Sequence, residues 1–239
     1  MRYELYYWPE IQGRGEFVRL ALEDASADYI DVARHPKHGI AALMRCLKQR
    51  SVEHPPFAPP FLKAGKLVIA QTANILLYLG PRLGLVPKNE ASRFWAHQLQ
   101  LTIADWVSEV HDTHHPISGS LYYEEQKPEA KRRAKDFREN RLPKFLDYFE
   151  LLLERNPKRT DYLLTKRVSY VDLSLFQMIA GLRYAWPRKM AQLEPAHPRL
   201  AALHDQISSR RQLTSYLSSH RRLPFNQEGI FRHYPELDA

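Results

Sequence analysis

Residues 6–14, Tyr6-Tyr7-Trp8-Pro9-Glu10-Ile11-Gln12-Gly13-Arg14, decide how this chain is read. They close a short aromatic strand, residues 2–7, make a tight polar turn, and lead into an amphipathic helix that starts near Gly15. A phenol at a strand end then lies beside the positive N-terminus of a helix, a place that can hold and activate a small anion. Alternation along the strand sends Tyr6 and Tyr7 to opposite faces. For either ring, plain packing on the sheet is the competing reading.

Working outward, residues 16–24 read as a helix with Phe17, Leu20 and Ala21 on one face. Residues 28–32 read as a second short strand. Residues 33–58 are irregular, with a short helix around 40–47. Phe61-Leu62-Lys63 and Leu67-Val68-Ile69 flank Ala64-Gly65, which signals a hairpin. Residues 71–83 return to helical period. The order is βαβ followed by ββα, and the first unit demands a parallel strand pair with a right-handed crossover. Residues 84–89 carry Gly84 and Pro87 and read as a linker. After them strand signals stop. Helical spacing appears at Leu99, Ile103, Trp106 and Val110, and again at Leu142, Phe145, Leu146, Phe149, Leu152 and Leu153. Ser169-Tyr170-Val171-Asp172 reads as a capping box with Asp in the place of the commoner Glu or Gln, and Val168 with Leu173 as its hydrophobic staple. His197-Pro198 opens another helix. The fold class is therefore α+β: a small βαβ-ββα domain over residues 1–83, a linker at 84–89, an all-α domain over 90–225, and a tail at 226–239. Its aromatic content, as in Pro224-Phe225 and Ile230-Phe231, argues that the tail packs on the helical domain.

Composition narrows the function classes. Of 239 residues, 44% are apolar and 26% charged, which suits packed cores under an ordinary polar surface. No run approaches the roughly 18 apolar residues that span a bilayer, so no membrane partner is expected. The N-terminus lacks a basic stretch followed by an apolar one, so a cytoplasmic location is expected. A single cysteine, Cys46, excludes an intramolecular disulfide and any CxxC site. The net charge is +8, but the basic residues are scattered, and the densest cluster, Lys131-Arg132-Arg133 with Lys135, sits on a polar helix face. That pattern speaks for a solvated surface and against nucleic acid.

Four local motifs in this order resemble the cytosolic glutathione transferases, tyrosine-type, sigma- or pi-like, over nearly the whole chain. The resemblance implies an N-terminal thioredoxin-like domain, a helical domain carrying the second-substrate pocket, and glutathione as co-substrate. The first motif is Tyr7 followed by Gln12-Gly13-Arg14. In the family this tyrosine hydroxyl hydrogen-bonds the glutathione sulfur. Here the turn is one residue longer than in sigma-like animal enzymes, and Trp8 replaces the usual phenylalanine beside glutathione. Arg14 either contacts the tyrosine ring or hydroxyl or braces the helix start. The second motif is Ala58-Pro59-Pro60-Phe61-Leu62. Pro60 matches the family's cis proline, and Pro59 precedes it where a residue normally offers N–H and C=O to glutathione. Pro59 has no N–H, so one backbone bond, about 1 kcal/mol net, is lost. Ala58 likewise replaces a family glutamine. The third is Gln71-Thr72-Ala73-Asn74-Ile75, matching the segment whose helix N-terminus takes the γ-glutamyl carboxylate. The fourth is Asp105, in Thr102-Ile103-Ala104-Asp105-Trp106, which in dimeric relatives reaches the partner's glutathione and so implies a homodimer. For the glycine carboxylate, Lys48 is the first choice, with Arg45 and Arg50 in the same region.

The resemblance implies conjugation of the glutathione thiolate to a hydrophobic electrophile in detoxification. Two alternatives share the fold: a glutathione-dependent isomerase, and a non-catalytic glutathione- or ligand-binding protein, which the altered Ala58 and Pro59 keep open. His111, His115 and Tyr122 fall where relatives line the second-substrate pocket. His111, His114 and His115 also resemble a metal cluster, but no Cys or Glu partner is identifiable nearby, and no metal site is expected.

Overall fold

The computed structural model describes residues 1–48, 53–156 and 161–239. Its first part contains β1 (Tyr3–Tyr6), α1 (Gly15–Asp24), β2 (Tyr29–Asp31), α2 (Gly39–Lys48), β3 (Phe61–Ala64), β4 (Leu67–Ala70) and α3 (Thr72–Leu83). The strands form one mixed sheet in the order β2-β1-β3-β4. β1 pairs parallel with β2, Tyr3 opposite Tyr29, and antiparallel with β3, Tyr3 opposite Ala64. The parallel pair needs a crossover, which α1 supplies. The hairpin turns at Gly65, whose φ of 64° suits a residue without Cβ. The strand ends at Tyr6, one residue short of the sequence expectation, so Tyr7 already belongs to the turn.

The helix α1 departs most from its sequence reading. Its period suggests one apolar face, yet almost every side chain from Gly15 to Leu22 is buried. Val18 and Leu22 pack on the sheet, while Phe17, Leu20 and Ala21 join the core of the helical part. A helix apolar on two faces is a helix between two layers. The rest of its circumference includes Glu16 and Arg19, both buried. Arg19 pairs with Asp31 at 2.6 Å and with Glu16 at 3.4 Å, and Glu16 also accepts from Tyr216 at 2.8 Å and Arg222 at 2.7 Å. Buried charge persists only where it is matched in this way.

The helical part comprises α4 (Glu90–Asp112), α5 (Lys127–Asp136), α6 (Leu142–Glu154), α7 (Tyr170–Ala185), α8 (Pro187–Leu193), α9 (Pro198–Ser208) and α10 (Arg211–Leu217), with a π-helical segment, Phe137–Arg141, between α5 and α6. The α4 and α6 stripes meet where Trp106 stacks on Phe145 and Phe149, with centroids 5.0 and 6.0 Å apart. Truncating such a fully buried tryptophan to alanine costs about 3–5 kcal/mol. The central helix α7 is buried on all sides, and its capping box forms: Asp172 accepts from Ser169 N at 2.7 Å and Ser169 Oγ at 2.6 Å.

The last residues bind both parts of the molecule. Asn226 donates to Glu10 O at 3.0 Å, and the Gln12 amide donates to Leu223 O. Phe231 lies against Gly181 of α7, where an added Cβ would meet its ring at 2.4 Å. Trp186 Nε1 donates to Leu237 O at 3.1 Å, and Asp238 accepts from the first N–H groups of α8.

Candidate functional site

The turn after β1 is built around the Tyr7 ring. Gly13 has φ of 47°, and a Cβ there would lie 2.1 Å from the Tyr7 hydroxyl oxygen. A Cβ at Gly15 would lie 2.6 Å from the ring carbons. The two glycines let the backbone close over the phenol, and the Arg14 N–H between them donates to the Tyr7 hydroxyl at 2.8 Å. Burial pushes the Tyr7 pKa up, against a smaller downward pull from the Arg14 N–H and from the Arg14 and Arg19 charges. The phenol therefore stays protonated at neutral pH, and with its oxygen already accepting one bond its own O–H remains available to donate. Tyr6 is occupied elsewhere: it stacks on Phe61 at 4.5 Å and donates to Glu4 at 2.6 Å.

Arg14 also reaches the start of α3, where its carbonyl accepts from Thr72 Oγ1 at 3.4 Å. Gln71 holds φ 70°, ψ 122°, an uncommon conformation for a residue with a Cβ. The first intrahelical bond runs from Ile75 N to Gln71 O at 2.8 Å. The N–H groups of Thr72, Ala73 and Asn74 thus have no acceptor within the helix. They face a cavity of about 460 Å³ lined in part by Arg14, Gln71, Thr72, Asn74, His97 and Gln100. His97 Nδ1 is buried without a hydrogen-bond partner among the described residues. A cluster of free N–H groups, a hydroxyl and a guanidinium suits a carboxylate-bearing ligand.

The other residues singled out from sequence lie as follows. The Pro59–Pro60 peptide is cis, directly before β3. Trp8 is half-buried against the Tyr6–Phe61 cluster. Lys48 is exposed at the end of α2, and Arg45 lines a separate cavity with Tyr6, Cys46 and Lys63. Arg50 lies outside the described residues. Asp105 is exposed and lines a different cavity from Gln71 and Thr72, together with Glu109, Arg141 and Tyr148. Within one chain the structure does not bring it to them. Tyr122 is 77% exposed, with its N–H bonded to Glu125.

His111, His114 and His115 form a cluster with ring centroids 4.9–5.2 Å apart. His114 is fully buried, with Nε2 2.8 Å from Ile230 O, and burial lowers its pKa to about 2. Burial also lowers His111, assisted by the charges of Arg14 and Arg232. Among the described residues no group of three or more His, Cys, Asp or Glu is placed to hold a metal ion.

Sequence reasoning passed over His97 and Gln100, whose approach to Thr72 depends on how α3 packs on α4. Arg232 was equally out of reach. Gly13, standing just before Arg14, was the one local signal that the backbone must approach a side chain closely.

The chain has relatives among known proteins. The family model for the glutathione S-transferase C-terminal domain matches residues 111–220. The chain is 23% identical to the glutathione S-transferase of Plasmodium falciparum over 221 residues, covering 91% of this chain and 95% of that protein. It is 25% identical to glutathione S-transferase P 1 of Xenopus laevis over 221 residues, covering 92% and 93%. The solved pi-class glutathione S-transferase of Onchocerca volvulus superposes with a TM-score of 0.72 at 23% identity, covering 96% of this chain and 99% of that one. By fold along its whole length and by sequence in its helical half, the chain is similar to the glutathione S-transferases, proteins of the pi class among them.

Proposed function

We propose that the protein conjugates glutathione, as its thiolate, to a hydrophobic electrophile. The observation that carries this reading is the Tyr7 hydroxyl, fixed by the Arg14 N–H at 2.8 Å with its own proton free to donate to a sulfur. Glutathione would lie with its γ-glutamyl carboxylate on the N–H and hydroxyl of Thr72, beside Gln71, and its cysteinyl part on the Pro59 carbonyl before Pro60. Lys48 and Trp8 would border the glycine end. Asp105 would act on the site of a second subunit. Phe94 and Leu101 support that arrangement: both are exposed apolar residues on α4, and Asp105 follows Leu101 by one turn on the same face. A partner packed on this face would receive Asp105, so a homodimer is part of the proposal. A cytoplasmic, detoxifying role completes it.

The chemistry needs both lowered basicity and positioning. A thiol of pKa about 8.5 is about 3% ionised at pH 7, and a drop of about two units makes it about 75% ionised, a gain of about 25-fold. Reduced nucleophilicity takes back about eightfold for a Brønsted slope near 0.45. The net gain of about threefold leaves the larger share to holding the electrophile against the sulfur. His111 and His115, at and just beyond the end of α4, would border that electrophile, and Tyr122 with them.

Calorimetric titration with glutathione and initial rates with an aryl halide, in the wild type and Tyr7→Phe, test the reading. Binding with turnover that falls in the variant supports it. Tight binding with no turnover would point instead to a glutathione-binding protein, and no binding would remove the site assignment.

A further inference from the structure

Gln12 stands one residue before Gly13 in the turn that closes over the Tyr7 phenol, and it is buried. Both halves of its amide are taken by distant segments. Its nitrogen donates to Leu223 O, and its Oε1 accepts from Gln177 Nε2 of α7 at 2.7 Å. Gln177 is fully buried, and its own Oε1 accepts from Arg222 Nη2 at 3.0 Å. The other arm of that guanidinium donates to Glu16 Oε1 at 2.7 Å. Asn226 Nδ2 donates to Glu10 O, in the same turn, at 3.0 Å. Residues 222–226 therefore reach the turn by three routes: at Glu10, at Gln12, and at Gln12 again through Gln177. On the other side, Gln12 O accepts from Glu16 N at 3.0 Å and from Arg19 Nη1 at 3.2 Å. The Gln12 backbone is thus tied to α1 and its side chain to α7 and the C-terminal segment. Immediately beyond it, Gly13 takes φ 47° and the Arg14 N–H meets the Tyr7 hydroxyl at 2.8 Å. An amide held this way has one orientation, since reversing it would set donor against donor at Gln177 and acceptor against acceptor at Leu223.

We infer that Gln12 is a positioning residue for Tyr7, set from the far end of the chain by Leu223 directly and by Arg222 through Gln177. The inference rests on the transferase reading and deepens it: the phenol is aimed by a segment 211 residues away in sequence. A buried polar network specifies one arrangement when every member is paired, and removing a member leaves its neighbour unsatisfied. Without Gln177 or Arg222 the Gln12 amide loses its fixed orientation, the turn relaxes, and the bond from Arg14 N–H to the phenol lengthens. The contacts proposed for glutathione at Pro59 and Thr72 lie outside this network, so the loss falls on the thiolate and on turnover more than on binding.

The test compares Gln12→Leu, Gln177→Leu and Arg222→Met with a control, Arg210→Met, in the full-length protein. Arg210 donates to Asp24 of α1 at 2.6 and 3.1 Å, and none of its bonds among the described residues reaches the turn. Each protein is read by melting temperature, by glutathione affinity in calorimetry, by the pKa of the bound thiol from thiolate absorbance, and by kcat with an aryl halide. All four variants should melt at lower temperature. In the three network variants the bound thiol pKa should rise by about one unit, which cuts the thiolate at pH 7 about threefold. Their kcat should fall about tenfold, with glutathione affinity within about threefold of wild type. Arg210→Met should keep the wild-type thiol pKa and kcat. Arg222→Lys, which can keep one of the two charged contacts, should recover part of the loss. Asn226→Ala, at a half-buried position, should show a smaller shift in the same direction and serves if the buried variants do not fold. A thiol lowered equally in the wild type and in the folded network variants would overturn the inference and leave the transferase reading standing. So would a control that shifts the thiol as much as they do. An unshifted thiol in the wild type would count against the transferase reading, and the inference would fall with it.

Discussion

Replacing Gly13 by alanine is expected to disable the phenol without touching it chemically. The new Cβ would sit 2.1 Å from the Tyr7 oxygen and 2.7 and 2.8 Å from two ring carbons. The hydroxyl must then retreat by roughly 1 Å or more to reach ordinary contact distance. That movement breaks the 2.8 Å bond from Arg14 N–H. Alanine at a φ of 47° also adds strain, about 1–2 kcal/mol for a residue in the left-handed region. For a chain of this size that lowers Tm by about 2–8 °C. Misplacement of a reacting group by about 1 Å reduces turnover about 100-fold. The assay is kcat/KM with an aryl halide for Gly13→Ala, Tyr7→Phe and the double variant, with melting curves as the check on folding. If the alanine acts through the phenol, the double variant falls to about the level of Tyr7→Phe alone. Losses that multiply, or Gly13→Ala turnover within about twofold of wild type, would refute the reasoning.

Other outcomes follow from the same geometry. His114 has a folded pKa near 2, below its ordinary value of about 6.5. The unfolded chain therefore takes up a proton that the native one refuses: its stabilisation is complete above pH about 6.5 and declines as pH falls toward 2, by about 2 kcal/mol between pH 7 and pH 5. Urea midpoints at those two pH values should differ less in His114→Gln than in wild type. Gly181→Ala improves helix propensity by about 1 kcal/mol, but its Cβ would meet the Phe231 ring at 2.4 Å. Limited proteolysis should find the tail released, and pairing the change with Phe231→Ala should restore protection. Thr72→Ala removes one hydroxyl from the proposed carboxylate site and should weaken glutathione binding about five- to tenfold by calorimetry, with the melting temperature little changed. Leu101→Glu places a charge in the exposed apolar face of α4 and should shift the protein to monomer in sedimentation.

What the sequence disclosed was local. The capping box needs only Ser169 and Asp172 within one turn, and the hairpin needs only Gly65 between two apolar runs, so both could be read directly. Pro60 and Gln71 could be matched because a hairpin of fixed length separates them. The features that escaped depend on contacts between distant segments. Gln12 meets Leu223 and Gln177 meets Gln12 across most of the chain, so no periodicity announces them. The second face of α1 escaped for the same reason, since burial on both sides erases the amphipathic signature a single layer would leave. Asp105 matched on sequence a residue that in dimeric relatives reaches the glutathione of a partner chain. One chain alone places it at another cavity than Gln71, which no local pattern could have told.

The central claim is that Tyr7 holds a thiolate. It is tested most directly by the ultraviolet absorbance of thiolate as the protein–glutathione complex is titrated with base. The account predicts a bound thiol pKa about two units below the free value of about 8.5 in the wild type, returning close to it in Tyr7→Phe. An unshifted pKa in the wild type, or the same lowered pKa in both proteins, would contradict it.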